Sequence, residues 1–194
     1  MAPRLLNHAW MSEEMALFRD QARRYIRAEM VPHLDTWRRQ GYTPREVWRG
    51  FGEMGLLLPE IDEAYGGAGV PLSFQLTVQD ELTLAEAPSN AVHTIAAHYI
   101  ADYGTPEQKQ RWLPRLVSGE LVAAIAMTEP GCGSDLKALR TRARLDGEHY
   151  VIDGSKTFIT QGFTANLIVV AVRTGQAGSK GVSLIVLETE GLAG

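Results

Sequence analysis

The sequence predicts an α+β protein, in which an all-α helical domain, residues 1–119, precedes a β domain, residues 120–194. In the first part, apolar residues recur at three- and four-residue steps, the period of helices that bury one face. After Gly119 this period gives way to β-branched runs separated by glycine-containing turns. The composition, 45% hydrophobic and 22% charged over 194 residues, is that of a folded chain with a core and not of a disordered one.

Several helices of the first part have recognisable start and stop signals. Two of them are expected to begin with a capping box that has Pro at the first helical position. The first box is residues 43–46, TPRE, whose helix ends at Gly55, and the second is residues 105–108, TPEQ, whose helix ends at Gly119. An earlier helix is expected after Ser12, which can cap it. Its apolar stripe consists of Met15, Phe18, Ala22 and Ile26.

The middle of the first part predicts two more helices that follow a loop. Residues 64–71, AYGGAGVP, are the loop. Residues 72–85 predict a helix, although alternating apolar residues at its start leave a strand possible. Residues 91–103 predict a helix that ends at Gly104. The expected buried face of this last helix consists of Val92, Ile95, Ala96 and Ile100.

The second part predicts short strands joined by tight turns. Asp146-Gly147 and Asp153-Gly154 are both expected to be hairpin turns. The strands that flank these turns are residues 141–145, 149–152 and 157–160. Residues 165–174 and 181–189 are nearly continuous apolar runs, so we expect strands that are buried on both faces.

Charge and cysteine usage exclude several classes of protein. The net charge of −4 argues against a nucleic-acid-binding surface. One cysteine, Cys132, excludes an internal disulfide and fits a reducing compartment. No apolar run approaches the roughly 18 residues of a membrane span, and the N-terminus lacks a signal peptide, so we expect a cytoplasmic protein.

The histidines are too scattered for a metal site. The local arginine clusters are expected to be solvated helix faces: Arg23, Arg24, Arg27, Arg38 and Arg39.

Two loops of the second part carry groups that can bind a ligand. Residues 131–133, GCG, expose backbone N–H groups, and Ser134 and Asp135 add polar side chains, a combination that suits an anion or a polar ring edge. Asp135 can equally cap a short helix at residues 136–139. A dinucleotide-binding fingerprint is excluded, because Leu136 occupies the position of its third glycine.

The second loop is residues 156–162, KTFITQG. Phe158 and Thr160 are expected on one face of a strand, where an aromatic plane and a hydroxyl would suit a flat heteroaromatic ring. The alternative interpretation is that Phe158 belongs to the core and Thr160 is an edge hydroxyl.

Jointly, these motifs closely resemble signatures of the acyl-CoA dehydrogenase family, from about residue 12 to the end of the chain. The segments that carry the resemblance are residues 128–135, TEPGCGSD; 154–162, GSKTFITQG; 103–110, YGTPEQKQ; 112–114, WLP; 119–120, GE; and 65–69, YGGAG. The resemblance implies a helical N-terminal domain, a β-barrel-like middle domain and a C-terminal helical bundle, with FAD as cofactor. It implies the following FAD-binding residues: Ile125, Ala126, Met127, Thr128, Gly133, Ser134, Phe158, Ile159 and Thr160.

The resemblance also implies roles for some of these residues. The hydroxyl groups of Thr128 and Thr160 would bond the flavin ring, and Phe158 would stack on the ring face away from substrate. Ser134 would lie where the cofactor meets the acyl-CoA thioester, and would therefore bind substrate as well.

The implied activity is FAD-dependent α,β-desaturation of an acyl-CoA, with an electron-transfer flavoprotein as acceptor and a homo-oligomeric assembly. The base in the family is a glutamate of the C-terminal domain, so we assign no base within these 194 residues and expect the chain alone to be inactive. Glu129 belongs to the flavin loop by resemblance and is not expected to be the base. Two alternatives stay open: a flavin oxidase or monooxygenase of the same fold, and a non-catalytic binding module.

Overall fold

The computed structural model describes residues 10–176 and 178–190. The expectation of no signal peptide at residues 1–9 therefore lies outside the described residues, as do positions 177 and 191–194 of the predicted β domain. The protein has an α+β fold and divides into two compact units, Met1–Leu121 and Val122–Gly194. The domain boundary expected after residue 119 lies two residues before this division.

The regular secondary structure described in the first unit is helical. Its helices are α1 (Glu13–Tyr25), α2 (Leu34–Gln40), α3 (Arg45–Glu53), α4 (Ser73–Leu84), α5 (Ala91–Tyr103) and α6 (Pro106–Val117). Helix α1 begins as predicted, with the Ser12 hydroxyl accepting a hydrogen bond from the Met15 N–H at 3.2 Å. The segment 72–85, for which a strand was also possible, is helical.

One of the two predicted capping boxes forms. At α6, Thr105 Oγ1 accepts from the Gln108 N–H at 3.3 Å, and Gln108 Oε1 accepts from the Thr105 N–H at 2.9 Å. At α3 the box is absent, because Pro44 is extended (ψ 148°) and the helix begins one residue later than expected, at Arg45.

Two expectations about exposure in the first unit were wrong. Arg23 is half-buried, because its guanidinium bonds both carboxylate oxygens of Glu81 on α4, at 2.8 and 2.9 Å. On α5, Ile95 is 48% exposed instead of buried. The buried face of α5 contains small residues and a histidine: His93, Thr94, Ala96, Ala97 and Ile100.

The second unit is a five-stranded mixed sheet. Its strands are β1 (Ala123–Ala126), β2 (Arg142–Asp146), β3 (His149–Asp153), β4 (Leu167–Arg173) and β5 (Val182–Glu188). Strand β4 is central: it pairs in parallel with β1, in parallel with the first residue of β2, and antiparallel with β5. Strands β2 and β3 form the predicted hairpin at Gly147, with Arg142 opposite Asp153 and Asp146 opposite His149.

Three predictions for the second unit were wrong. Residues 157–160 are not a strand, so Asp153-Gly154 is not a hairpin turn. Strand β4 is largely buried as expected, but β5 is only half-buried. Among the described residues β5 pairs with β4 alone and is therefore an edge strand.

Candidate functional site

The loop after β1 folds back on itself. The N–H of Glu129 donates to the carbonyl of Cys132 at 2.9 Å, and the N–H of Cys132 donates to the carbonyl of Glu129 at 3.1 Å. Asp135 accepts a hydrogen bond from the Lys137 N–H at 3.2 Å and so caps a single 3₁₀ turn, Leu136–Ala138. Of the two roles considered for Asp135, the capping role is therefore the one its contacts support. Gly133 and Ser134 are exposed.

The second loop presents its aromatic ring to solvent by a turn and not by strand alternation. Phe158 has a φ of +55° and Gln161 a φ of +64°, so the backbone reverses here. The Phe158 side chain is 91% exposed, and Thr160 is also exposed. Ile159, between them, packs against the core around Ala126. Both earlier interpretations of Phe158 are corrected: it is neither on a strand nor in the core.

The two loops are joined by hydrogen bonds. The N–H of Thr157 donates to the carbonyl of Thr128 at 2.9 Å. The ammonium of Lys156 donates to the carbonyl of Met127 at 3.0 Å and to Oε1 of Glu129 at 3.0 Å. Lys156 thus links a residue of the second loop to two residues of the first.

Glu129 lies at the centre of this junction. Its side chain is buried, and its carboxylate accepts hydrogen bonds from the N–H groups of Arg140 and Thr141, both at 2.8 Å, in addition to Lys156. Burial by itself would raise the pKa of Glu129, but the hydrogen bonds from Thr141, Arg140 and Lys156 outweigh it and lower the pKa to about 2. Glu129 therefore stays ionised at neutral pH and has no tendency to take up a proton.

The predicted cofactor-binding residues differ in their solvent exposure. Ala126 is buried, so only its backbone is available to a ligand, whereas Ile159 packs against the same cluster but is only partly buried. The side chains of Ile125, Met127 and Thr128 are partly buried. Within the described residues, the hydroxyl groups of Thr128, Ser134 and Thr160 make no hydrogen bond. These three donors are therefore available to a ligand.

The ion pair between Lys156 and Glu129 was not predicted from the sequence. They are 27 residues apart, and spacing along the chain contains no signal for a pair at that separation. Their only sequence signal is that each lies in a loop that also carries candidate ligand-binding groups.

The protein therefore has a helical unit followed by a small β unit, in which hydrogen bonds join two loops. Models of the acyl-CoA dehydrogenase N-terminal domain and middle domain match residues 12–120 and 124–194, respectively. The chain belongs to the acyl-CoA dehydrogenase family.

The most informative relatives agree with this assignment. The chain is 37% identical over 183 residues to the mitochondrial long-chain specific acyl-CoA dehydrogenase of Mus musculus, a match that covers 91% of this chain and 43% of that protein. A crystal structure of an acyl-CoA dehydrogenase from Geobacillus kaustophilus is 43% identical, with a TM-score of 0.85, covering 93% of this chain and 49% of that one. A glutaryl-CoA dehydrogenase from Mycobacterium smegmatis in complex with FADH2 is 27% identical, with a TM-score of 0.83, covering 93% of this chain and 46% of that one.

The described residues show neither a metal-binding cluster nor a membrane-spanning helix. Residues 10–176 and 178–190 contain no group of three or more His, Cys, Asp or Glu side chains arranged to hold a metal ion. In the same part of the chain, no helix combines the length and the apolar character needed to cross a bilayer.

Proposed function

We propose that this chain forms the flavin- and acyl-CoA-binding part of an FAD-dependent acyl-CoA dehydrogenase. The observation that supports the proposal most directly is the junction between the two loops, in which Lys156 bonds Met127 and Glu129 and so holds residues 127–129 against residues 156–157. Membership of the acyl-CoA dehydrogenase family supports the same activity. When bound, FAD supplies the oxidant for α,β-desaturation of the acyl thioester.

The residues at the junction fit a flat, polar-edged ring. Phe158 exposes 91% of an aromatic side chain, and leaving such a large apolar surface in water is unfavourable unless a ligand or partner covers it. The hydroxyls of Thr128 and Thr160 have no partner among the described residues and would donate to ring oxygen or nitrogen atoms. Ser134, which is exposed, would orient the thioester end of the substrate next to the ring.

We assign the remaining predicted residues smaller roles. Ile125 and Met127 would border the ring, and Gly133 would allow close backbone approach. Ala126 would contribute backbone groups only, since its side chain is buried, and Ile159, which is partly buried, would border the ring.

Glu129 is not proposed as the base that removes the substrate α-proton. Its pKa of about 2 gives it little affinity for a proton, and both of its oxygens already accept hydrogen bonds. Its role in the proposal is to hold the loops, and no base is proposed within residues 1–194.

We also propose a location, an assembly and an electron acceptor for the protein. We infer a cytoplasmic homo-oligomer that passes electrons to an electron-transfer flavoprotein. The name of the Mus musculus relative places that protein in mitochondria.

The reaction is tested by anaerobic mixing of the purified protein, in its native assembly, with acyl-CoA thioesters of several chain lengths. We expect the yellow flavin absorbance to bleach with at least one of them, and the enoyl-CoA product to appear in equal amount. Rapid reoxidation of the bleached flavin by oxygen would indicate an oxidase or monooxygenase instead. A stable yellow protein that no thioester bleaches would indicate a non-catalytic binding module.

A further inference from the structure

Lys156 contacts the backbone of the first loop as well as a side chain. Its ammonium donates to the carbonyl oxygen of Met127 at 3.0 Å, and this carbonyl belongs to the peptide unit that joins Met127 to Thr128. Its second bond, also of 3.0 Å, goes to Oε1 of Glu129. The Lys156 side chain is only 12% exposed, so a largely buried cation is held against one peptide unit.

The two ends of that peptide unit are engaged differently. The carbonyl and the N–H of a trans peptide point in opposite directions, so the N–H of Thr128 points away from the ammonium. Within residues 10–176 and 178–190, this N–H donates to no acceptor. In the next peptide unit, the Thr128 carbonyl accepts from the Thr157 N–H at 2.9 Å, and the Glu129 N–H donates to the Cys132 carbonyl. Of the two units, only the one that Lys156 contacts has an N–H available to a ligand.

A cation on a carbonyl oxygen polarises the whole peptide unit. Hydrogen bonds to charged groups are stronger than neutral ones, and each hydrogen bond of a chain polarises the next. Electron density drawn toward the Met127 oxygen leaves the Thr128 N–H more positive and therefore a stronger donor. Because Lys156 is mostly buried, salt screens its charge less than it screens an exposed cation. The ammonium and the N–H therefore both favour negative charge on a ligand that accepts from Thr128.

We propose that Lys156 is a positioning residue that raises the reduction potential of a flavin bound at the junction. The inference rests on the proposed function, because it requires the ring to accept a hydrogen bond from Thr128. In the desaturation, the substrate α-carbon loses a proton and the β-carbon passes a hydride, one proton with two electrons, to the ring. Hydride transfer adds one negative charge to a neutral ring, and a nearby cation and a polarised N–H favour that reduced form.

Glu129 is expected to act in the opposite direction. Its carboxylate accepts hydrogen bonds from two backbone N–H groups and from Lys156, and is ionised at neutral pH. A pair that only held the loops together would change the flavin in the same direction when either partner was removed. An electrostatic role predicts that removing the cation and removing the anion shift the potential in opposite directions.

The test measures the equilibrium between oxidised and reduced flavin against a reference dye, in protein that retains FAD. Lys156→Met is expected to lower the ratio of reduced to oxidised flavin about tenfold, which is about 30 mV for a two-electron couple. Glu129→Gln is expected to raise that ratio. Lys156→Arg keeps the charge and should stay within about threefold of the wild-type protein. Lys180→Gln, which removes an exposed cation of the same unit, is the matched control and should change the ratio less than about twofold.

A second comparison avoids an unpaired buried charge. Lys156→Met alone leaves the Glu129 carboxylate buried without its cation, which is unfavourable. The double variant Lys156→Met/Glu129→Gln removes both charges, and we expect it to have a lower ratio of reduced to oxidised flavin than Glu129→Gln alone.

The polarisation itself is measured without flavin. In NMR spectra of the apoprotein, the Thr128 amide proton should move upfield when the ammonium is removed and should keep its position in Lys156→Arg.

Two results would overturn the inference and leave Lys156 as a clamp of the two loops. One is a shift of the same sign in Lys156→Met and Glu129→Gln, and the other is an unchanged flavin potential when the ammonium is removed. In either case, bleaching of the flavin by acyl-CoA in the wild-type protein would still support the proposed function. A wild-type protein that binds no FAD would overturn both, so the two failures are distinguishable.

Discussion

Glu129 combines two properties that are rarely found together, burial and a charge that persists to low pH. Its carboxylate accepts hydrogen bonds from two backbone N–H groups and from Lys156, whose side chain is itself only 12% exposed. Removing one partner of such a pair leaves the other charge without compensation in a poorly solvated place, which costs more than the pair itself contributes.

We therefore expect Glu129→Gln to destabilise the protein by about 3 kcal/mol at neutral pH and to loosen both loops. Chemical denaturation measures the first effect, and release of FAD measures the second. Glu148→Gln is the control, since Glu148 is exposed at the β2–β3 turn and should be replaceable with little loss. Equal stability of the two variants would contradict the role given to Glu129.

The low pKa of Glu129 also predicts a pH dependence. Because its pKa falls from 4.5 to about 2 on folding, the unfolded chain takes up the proton first as the pH drops. The stabilisation is complete above pH 4.5 and is lost progressively toward pH 2, by roughly 3 kcal/mol in total. Glu81 also has a lowered pKa, so the test is the difference between wild-type protein and Glu129→Gln, measured across this interval.

Residue types and their spacing singled out two loops as candidate ligand-binding loops, and the family resemblance assigned roles to their residues, but neither indicated how the loops are held. Thr128 and Ser134 stand out because polar residues and glycines follow the apolar run 121–127, and Phe158 and Thr160 because an aromatic and a hydroxyl lie two residues apart. Phe158 was expected on a strand face or in the core, and both expectations were wrong, because the backbone turns here with a positive φ and leaves the ring exposed. A reversal of this kind depends on Ile159 being held by the core, which local sequence does not reveal.

At the scale of elements, the path from β3 to the second loop depends on Gly154. Its φ is +151°, and a Cβ added there would lie 2.7 Å from the Cα of Thr141. Gly147, in the β2–β3 turn, also has a positive φ, +61°, but a Cβ there would meet nothing within 4 Å. Gly147 therefore requires only a positive φ, whereas Gly154 requires a positive φ and also a close approach to the backbone of Thr141.

We expect Gly147→Ala to cost about 1 kcal/mol and Gly154→Ala to cost about 3 kcal/mol or more. The first variant pays only for the left-handed conformation, whereas the second must also move the backbone of Thr141, which donates to Glu129. Free energies of unfolding check the prediction, and equal losses would show that the approach of Gly154 to Thr141 is not required.

Helices α5 and α6 are joined by a buried histidine. His93 is fully buried, its Nε2 lies 3.1 Å from the carbonyl oxygen of Leu116, and its ring lies 5.2 Å from that of Trp48. Burial lowers its pKa to about 4, although the hydrogen bond to Leu116 acts in the opposite direction. Between pH 6.5 and about 4, the folded protein therefore holds a neutral imidazole where the unfolded chain carries a charged one.

This difference predicts a loss of stability of roughly 3 kcal/mol between pH 6.5 and about 4, because the unfolded chain binds the proton first. His93→Gln should remove this pH dependence while keeping a side-chain donor for the Leu116 carbonyl. His149→Gln, at an exposed position of β3, should retain it. The free energy of unfolding across this pH interval is the measurement, and an unchanged slope in His93→Gln would contradict the assignment.

The positions of most helices and strands could be predicted from the sequence. The hydrogen bonds that cap the helices and the side chains that are buried were less predictable. The capping box at α6 formed and the one at α3 did not, because the box requires a backbone geometry at Thr43 and Pro44 that the four-residue motif does not by itself determine. Burial of α5 was also misjudged at Ile95, since it depends on the neighbouring helices against which α5 packs.

At the scale of the whole molecule, the chain contains two of the units that family members share and spans 43% of the length of its Mus musculus relative. Each unit contains one buried group whose pKa is strongly shifted, His93 in the helical unit and Glu129 in the β unit. In the β unit, we have proposed that the joined loops present Phe158 and Thr160 to a flavin ring.

The most direct test compares two exposed phenylalanines, Phe158 in the second loop and Phe163 just after it, which are 91% and 83% exposed. FAD binding is measured by fluorescence titration of the apoprotein and its Phe158→Ala and Phe163→Ala variants. The account predicts about three- to tenfold weaker binding for Phe158→Ala, because stacking on the ring is lost, and less than about twofold change for Phe163→Ala. Unchanged FAD affinity in Phe158→Ala, or an equal loss in both variants, would contradict it.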